Sequence, residues 1–198
     1  MSHELISLIL PTRGRPALVE RLFGSIAAMA AHLEQVEVIL YVEEDDIGSQ
    51  ELDSQYFHVT RIIGPKLTMG GYNSACFARA RGDIMIPIND DIVIRTKDWD
   101  DRIREMNAEF DDRIYLGYAN DLSKKSKFCT FPIMSRRACE ILIEPYPDLY
   151  RRFFIDVHLF DIFKRLQHVG IDRIRYYDDL VFEHLHYRTG KAPDDETY

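Results

Sequence analysis

The chain has 198 residues, long enough for one domain with a substantial core and short for two independent ones. Its hydrophobic fraction of 46% and charged fraction of 29% are ordinary for a soluble globular protein, and no apolar run approaches the roughly 20 residues a bilayer crossing needs. The 33 acidic and 25 basic side chains leave a net charge of −8, the wrong sign for a protein that binds by neutralising nucleic-acid phosphates. The opening residues Met1, Ser2, His3 and Glu4 lack the basic and apolar regions of an export signal, so a cytoplasmic location is the expectation. Cys76, Cys129 and Cys139 are odd in number and show no Cys-x-x-Cys spacing, which argues against a disulfide framework or a structural zinc site.

Residues 5–10 and 36–42 are apolar runs, the second broken only by Glu37, and such runs suit strands buried on both faces. Between them Pro16 stands where a first helical turn tolerates it, and Leu18, Leu22, Ile26 and Met29 recur at helical spacing. This predicts a βαβ unit with a parallel strand pair and a right-handed crossover. A third strand is expected at 58–63, a small-residue helix at 72–80 with Gly82 as its stop, and a strand at 84–88 whose Pro87 cannot donate to a ladder. Trp99, Ile103, Met106 and Phe110 mark an amphipathic helix beginning near Asp98. Strands are expected at 114–118 and 128–134, followed by Ser135 as the N-cap of a helix over 136–142, and 144–148 reads as loop. The last helix runs over 156–169 with Gly170 past its end, a strand follows at 180–182, and the tail from Thr189 is polar. Strands alternating with helices predict an α/β sandwich with a mainly parallel central sheet, whose ligands bind outside the carboxyl ends of the strands.

Three strand-end loops carry polar residues that an ordinary turn does not need: Thr12-Arg13-Gly14-Arg15, Glu43-Glu44-Asp45-Asp46 and Asn89-Asp90-Asp91. Adjacent carboxylates at the end of an apolar strand repel unless something positive lies near, and a divalent cation with hard oxygen ligands meets that need. The triplet alone reads equally as a solvated acidic turn. The basic clusters at Lys124, Lys125 and Lys127, at Arg136 and Arg137, and at Arg151 and Arg152 read first as solvated faces, and second as a cationic rim for an anionic nucleotide or acceptor.

Pro11-Thr12-Arg13-Gly14-Arg15-Pro16 after an apolar strand, then Gly71-Tyr72-Asn73-Ser74-Ala75 through Arg81-Gly82-Asp83 to Asn89-Asp90-Asp91, resembles the first half of GT-A glycosyltransferases, especially the large family 2. The resemblance implies a single GT-A domain of Rossmann-like layout. Residues 1–91 would form its nucleotide-binding half, 92–188 its acceptor-side half and 189–198 a polar tail. It implies a metal-dependent transferase moving a sugar from a nucleoside diphosphate donor to a hydroxyl acceptor, with Mn2+ or Mg2+ as cofactor, no nucleic acid partner and no membrane span. Pro11, Thr12, Arg13, Asp45, Asn73, Asn89 and Asp90 become donor-binding candidates. Asn89 departs from the family's commoner aspartate, which leaves Asp91 as the principal metal ligand. Phe154-Ile155-Asp156 looks like the segment where inverting members carry their general base, which nominates Asp156, with Asp161 in reserve. Glu183-His184-Leu185-His186, with Lys191 beyond, is similar to the late segment that completes the metal's coordination and meets the diphosphate. His184 and His186 would share one strand face. Two other readings stand beside this one: a nucleotidyltransferase, against which the single glycine of the first loop weighs, and a non-catalytic domain that keeps the fold and a nucleotide site.

Overall fold

The computed structural model describes residues 4–185. Strands β1 (Ile6–Thr12), β2 (Val36–Glu43), β3 (His58–Gly64), β4 (Ile84–Pro87), β5 (Ile92–Ile94), β6 (Leu116–Asn120), β7 (Pro132–Ser135) and β8 (Ile174–His184) form one sheet in the order β3-β2-β1-β4-β7-β6-β8-β5. The pairs β1/β2, β1/β4, β2/β3 and β6/β8 are parallel, while β7 runs antiparallel to both β4 and β6 and β5 antiparallel to β8. The expected α/β sandwich with a mainly parallel sheet is the observed architecture.

Side-chain alternation explains why β1 and β2 read as continuous apolar runs. Leu8, Leu10, Val38, Leu40 and Val42 join one core with α1 (Pro16–Met29) and α3 (Trp99–Ala108), through Val19, Leu22, Ile26, Trp99 and Ile103. Ile9, Ile39 and Tyr41 point the other way, into a second core with α2 (Met69–Phe77), α4 (Arg136–Ile141) and α5 (Ile155–His168). Glu37, which interrupts the β2 run, is fully buried and accepts hydrogen bonds from Ser7 Oγ (2.7 Å), Arg81 N (2.6 Å) and Arg81 Nε (3.0 Å). Burial alone would push its carboxyl up. The bonds from Ser7 and Arg81 outweigh that and hold it below the ordinary value.

Several expectations change at the level of single elements. Pro87 ends β4 without harm, because β7 pairs only with Ile84 and Met85 and leaves the ladder position that a proline cannot fill unclaimed. The small-residue helix starts earlier, at Met69, capped by the Thr68 hydroxyl accepting from Gly71 N at 3.0 Å. It ends at Phe77, so Gly82 is not its stop. Gly82 is needed instead where the backbone passes β1: its N–H donates to Ser7 Oγ at 2.9 Å, and a Cβ there would press on Leu5 O at 2.7 Å. Asp98 precedes α3 but caps nothing with its side chain and sits at φ 56°, whereas Ser135 caps α4 as expected, accepting from Ala138 N at 3.0 Å. The strand expected at 128–134 shortens to Pro132–Ser135, and the one at 114–118 shifts to Leu116–Asn120. β5 was not anticipated, and β8 reaches back to Ile174, well before residue 180. Asp178 and Asp179 mask its continuity in the sequence, because they fall in an irregularity of the β6 pairing, which skips from Tyr177 to Val181 before β8 meets β5 at Phe182.

Candidate active site

The carboxyl ends of β1, β2 and β4 open into a cleft of about 1010 Å³, closed on the far side by the 124–132 and 151–157 segments. Among the described residues, Arg13, Arg15, Lys66, Lys124, Arg151 and Arg152 line it, against Glu43, Asp90 and Asp156 among the carboxylates. The cleft therefore carries a local positive surplus in a chain of net charge −8.

The acidic turn at the cleft floor is asymmetric. Asn89 is exposed at the wall, while Asp90 is fully buried and held from the β1 loop. Thr12 Oγ1 donates to Asp90 Oδ2 at 2.6 Å, and Arg15 reaches Oδ2 through Nε at 3.1 Å and Oδ1 through Nη2 at 2.7 Å. Burial dominates the Asp90 carboxyl and pushes it up to about 6, with Arg15 and Thr12 opposing and the neighbouring Asp91 adding. Asp91 is 1% exposed and does not line the cleft. It meets His184, which does, with Nε2 and Oδ2 3.2 Å apart. Antiparallel pairing of β5 with β8 sets Ile92 opposite His184 and so brings the imidazole to the turn, and Phe131 packs against that ring at 5.2 Å. Among the described residues, no three His, Cys, Asp or Glu side chains converge as a ready cation cage. His186 and Lys191 lie outside the described residues.

Gly14, at φ 66°, lets the β1 loop fold back so that its N–H donates to Asp46 at 2.6 Å. Arg13 beside it bridges to Asp45 through Nη1 at 3.2 Å and Nη2 at 2.9 Å, and also contacts Glu43. Asp45 is exposed and lies off the cleft wall. Glu43, which the sequence placed in this loop but did not make a binding candidate, is on the wall, 4% exposed and hydrogen-bonded by Tyr72 Oη. The signal was available in strand length: β2 continues one residue beyond the apolar run, and alternation from Tyr41 then carries Glu43 toward α2. Pro11 and Asn73 also line the cleft, with Asn73 Nδ2 donating to Met69 O at 3.0 Å.

The far wall is pinned to the start of α2. Met69 N donates to Arg151 O and Gly70 N to Tyr150 O, each at 3.0 Å, while Thr68 Oγ1 donates to Asp148. A Cβ on Gly70 would run into the Pro147 carbonyl. Gly70→Ala is therefore expected to detach this wall and speed limited proteolysis within 145–154, with the sheet core intact by circular dichroism. A digestion pattern identical to that of the unsubstituted chain would show that the wall is held elsewhere.

Asp156 lies in the first turn of α5, facing the cleft, and its Oδ1 accepts from Val157 N at 2.8 Å. Burial raises its carboxyl above the ordinary value, opposed by backbone N–H groups and by His184. Asp161, the reserve candidate, pairs with Arg165 Nε at 2.7 Å on the exposed side of α5 and is absent from the cleft wall. Of the basic clusters read first as solvated faces and second as a cationic rim, Lys124, Arg151 and Arg152 belong to the cleft. Arg136 is also engaged, donating to the carbonyls of Gly82 (2.8 Å) and Ala80 (2.7 Å).

No family model and no curated protein matches the sequence. Among solved structures, the chain is similar to the mannosyltransferase PcManGT from Pyrobaculum calidifontis in complex with GDP-Man and Mn2+. The TM-score is 0.73 at 13% identity, over 95% of this chain and 59% of that one. It is also similar to S. aureus TarS 1–349, with TM-score 0.64 and 13% identity over 90% of this chain and 59% of that one. The same protein in complex with UDP-GlcNAc gives 0.63 and 14%, covering 90% and 57%. The chain thus spans somewhat under three-fifths of these neighbours' length. The likeness establishes the fold, that of GT-A glycosyltransferases.

Proposed function

We propose that this chain transfers a sugar from a nucleoside diphosphate donor to a hydroxyl acceptor with the help of Mn2+ or Mg2+. The observation that carries the reading is the cleft: large enough for a nucleotide-sugar, at the carboxyl ends of parallel strands, and locally cationic in an acidic chain. The fold shared with structures holding GDP-Man and UDP-GlcNAc supports it.

In this reading Pro11, Thr12, Asn73 and Asn89 shape the nucleoside pocket, and Glu43 with Tyr72 meets the base or ribose edge. Arg15 faces the diphosphate while it neutralises Asp90. Arg13 holds the β1 and β2 loops together through Asp45 and Glu43. Lys191 is kept as a further diphosphate contact.

The donor set suits the proposed cation. Asp91 and His184 offer one carboxylate and one imidazole in mutual contact. Two protein ligands leave most of the coordination shell to diphosphate oxygens and water, the usual habit of Mg2+, and the imidazole extends the choice to Mn2+. His186 is a third candidate ligand. Asp90 contributes less, because Arg15 and Thr12 occupy it. When bound, the cation would offset the charge of the departing diphosphate.

Asp156 takes the proton from the acceptor hydroxyl as that oxygen bonds to the anomeric carbon and the bond to the diphosphate breaks, which inverts the centre. Its raised carboxyl pKa makes it a stronger base than an ordinary aspartate. Calorimetric titration with uridine, guanosine and deoxythymidine diphosphates is expected to show one that binds, more tightly with Mn2+, and Asp91→Ala should lose the Mn2+ increment. If none of the three binds with or without Mn2+, the reading is abandoned.

A further inference from the structure

We infer that the acceptor is an anion: a glycan or polyol bearing phosphate or carboxylate close to the reacting hydroxyl. Calling the ligand an acceptor rests on the transferase reading above; the anion site stands on its own side chains.

The cations of the cleft fall into two groups. Arg13 and Arg15 are committed to carboxylates, the first to Glu43 and Asp45 and the second to Asp90. Their charge is largely spent before any ligand arrives. Lys124, Arg151 and Arg152 line the same cleft on the segments that precede β7 and α5, and among the described residues they make no ion pair and no side-chain hydrogen bond. The remaining wall carboxylate is Asp156, four residues after Arg152 on one continuous segment. The positive surplus of the cleft therefore lies on the side of the proposed base, where the acceptor must present its hydroxyl. Lys66, on the β3 side, lies near Asp45.

The backbone that carries the two arginines is tied to the start of α2, since the Arg151 carbonyl accepts from Met69 N at 3.0 Å. Phe153 and Phe154 stand beside them, 57% and 61% exposed with ring centroids 6.3 Å apart, and Phe128 lines the wall below. Aromatic faces suit the apolar faces of sugar rings or a polyol chain, and the guanidinium fork matches the paired oxygens of phosphate or carboxylate. A neutral acceptor would cover three cations without giving them a counter-charge. The residues line a concave wall, which favours a threaded ligand over a flat bilayer surface.

The test is binding by the full chain to mannopentaose, mannopentaose phosphate and pentagalacturonate, at low and high salt, without donor. At least one anionic probe is expected to bind about tenfold more tightly than the neutral one, and to weaken with salt. The tighter of the two names the charged group. Lys124→Gln/Arg151→Gln/Arg152→Gln should bring the anionic probes to the neutral level while nucleoside diphosphate affinity stays within about twofold. Arg152→Glu should do the same singly, and retained nucleotide binding certifies that both variants are folded. Equal binding of neutral and anionic probes, or no binding of either anionic probe, overturns the inference. So does loss of nucleoside diphosphate in place of the oligosaccharide, which would give these cations to the donor. Triple-variant loss of binding to phosphatidylglycerol vesicles, with oligosaccharides unaffected, would make the wall a membrane contact. If the unsubstituted chain binds anionic probes but no nucleoside diphosphate, the anion site stands and the transferase reading falls.

Discussion

Asp156→Asn is expected to lower kcat for sugar transfer by about 10²–10⁴-fold, the usual contribution of a positioned general base, with donor affinity nearly unchanged. The amide keeps the size of the side chain and removes its basicity. Two further readouts separate a base from a helix cap. Asp156 works ionised, and burial holds its pKa above the ordinary carboxylate value, so the acid limb of the kcat profile should lie above that value and vanish from the residual rate of the variant. The same shift acts on stability. A carboxyl whose folded pKa is raised binds its proton more readily in the folded chain, so its ionised form costs stability above that pKa, and the cost is relieved as pH falls through it. Asp156→Asn should accordingly raise the melting temperature at neutral pH. A kcat that survives the substitution, or a melting temperature that drops, would return Asp156 to a capping role.

Arg15→Ala is expected to cost about 3–5 kcal/mol in denaturant unfolding, because it strips the partner from a fully buried carboxylate. Against a typical domain stability of about 5–15 kcal/mol, that is a large fraction. Asp90 would keep only the Thr12 hydroxyl and face Asp91 without a compensating guanidinium. The double variant Arg15→Ala/Asp90→Asn removes the buried charge as well, and should recover most of the loss. If the double variant is no more stable than Arg15→Ala, the effect belongs to packing by the arginine stem and not to the ion pair.

The sheet was legible in the sequence because burial on both faces writes itself as apolar runs, as at residues 5–10 and 36–42, and helix faces as spacing, as at Leu18, Leu22, Ile26 and Met29. What escaped was set by tertiary contact. β5 is three residues long, with too little pattern to see, and exists because β8 pairs with it. Glu37 looked like an interruption because nothing local announces Ser7 and Arg81 as its partners. Of the candidate site, Thr12, Arg13, Asn73, Asn89, Asp90, Asp156 and His184 all line one cleft. Asp91 stands one layer behind His184. The sequence gives no sign of that depth, since adjacent residues at a strand end separate only when their neighbours fix the turn. Glu43 stood only as one acidic residue of its loop, and the Arg151, Arg152 pair read first as a solvated face and second as a cationic rim, because a charge run reads as solvated until the surface opposite it is known.

The acidic turn is also a record of how the chain must fold. Thr12 and Asp90 are 78 residues apart in sequence, and Asp91 and His184 are 93 apart. Closing such long loops carries an entropic cost that is repaid only when the sheet between them is in register. The turn can therefore assume its final shape only late in folding, after both ends of the chain have arrived. Ligand-binding competence would then trail secondary structure in a refolding experiment, and a fragment ending at residue 91 would hold the carboxylates without the site.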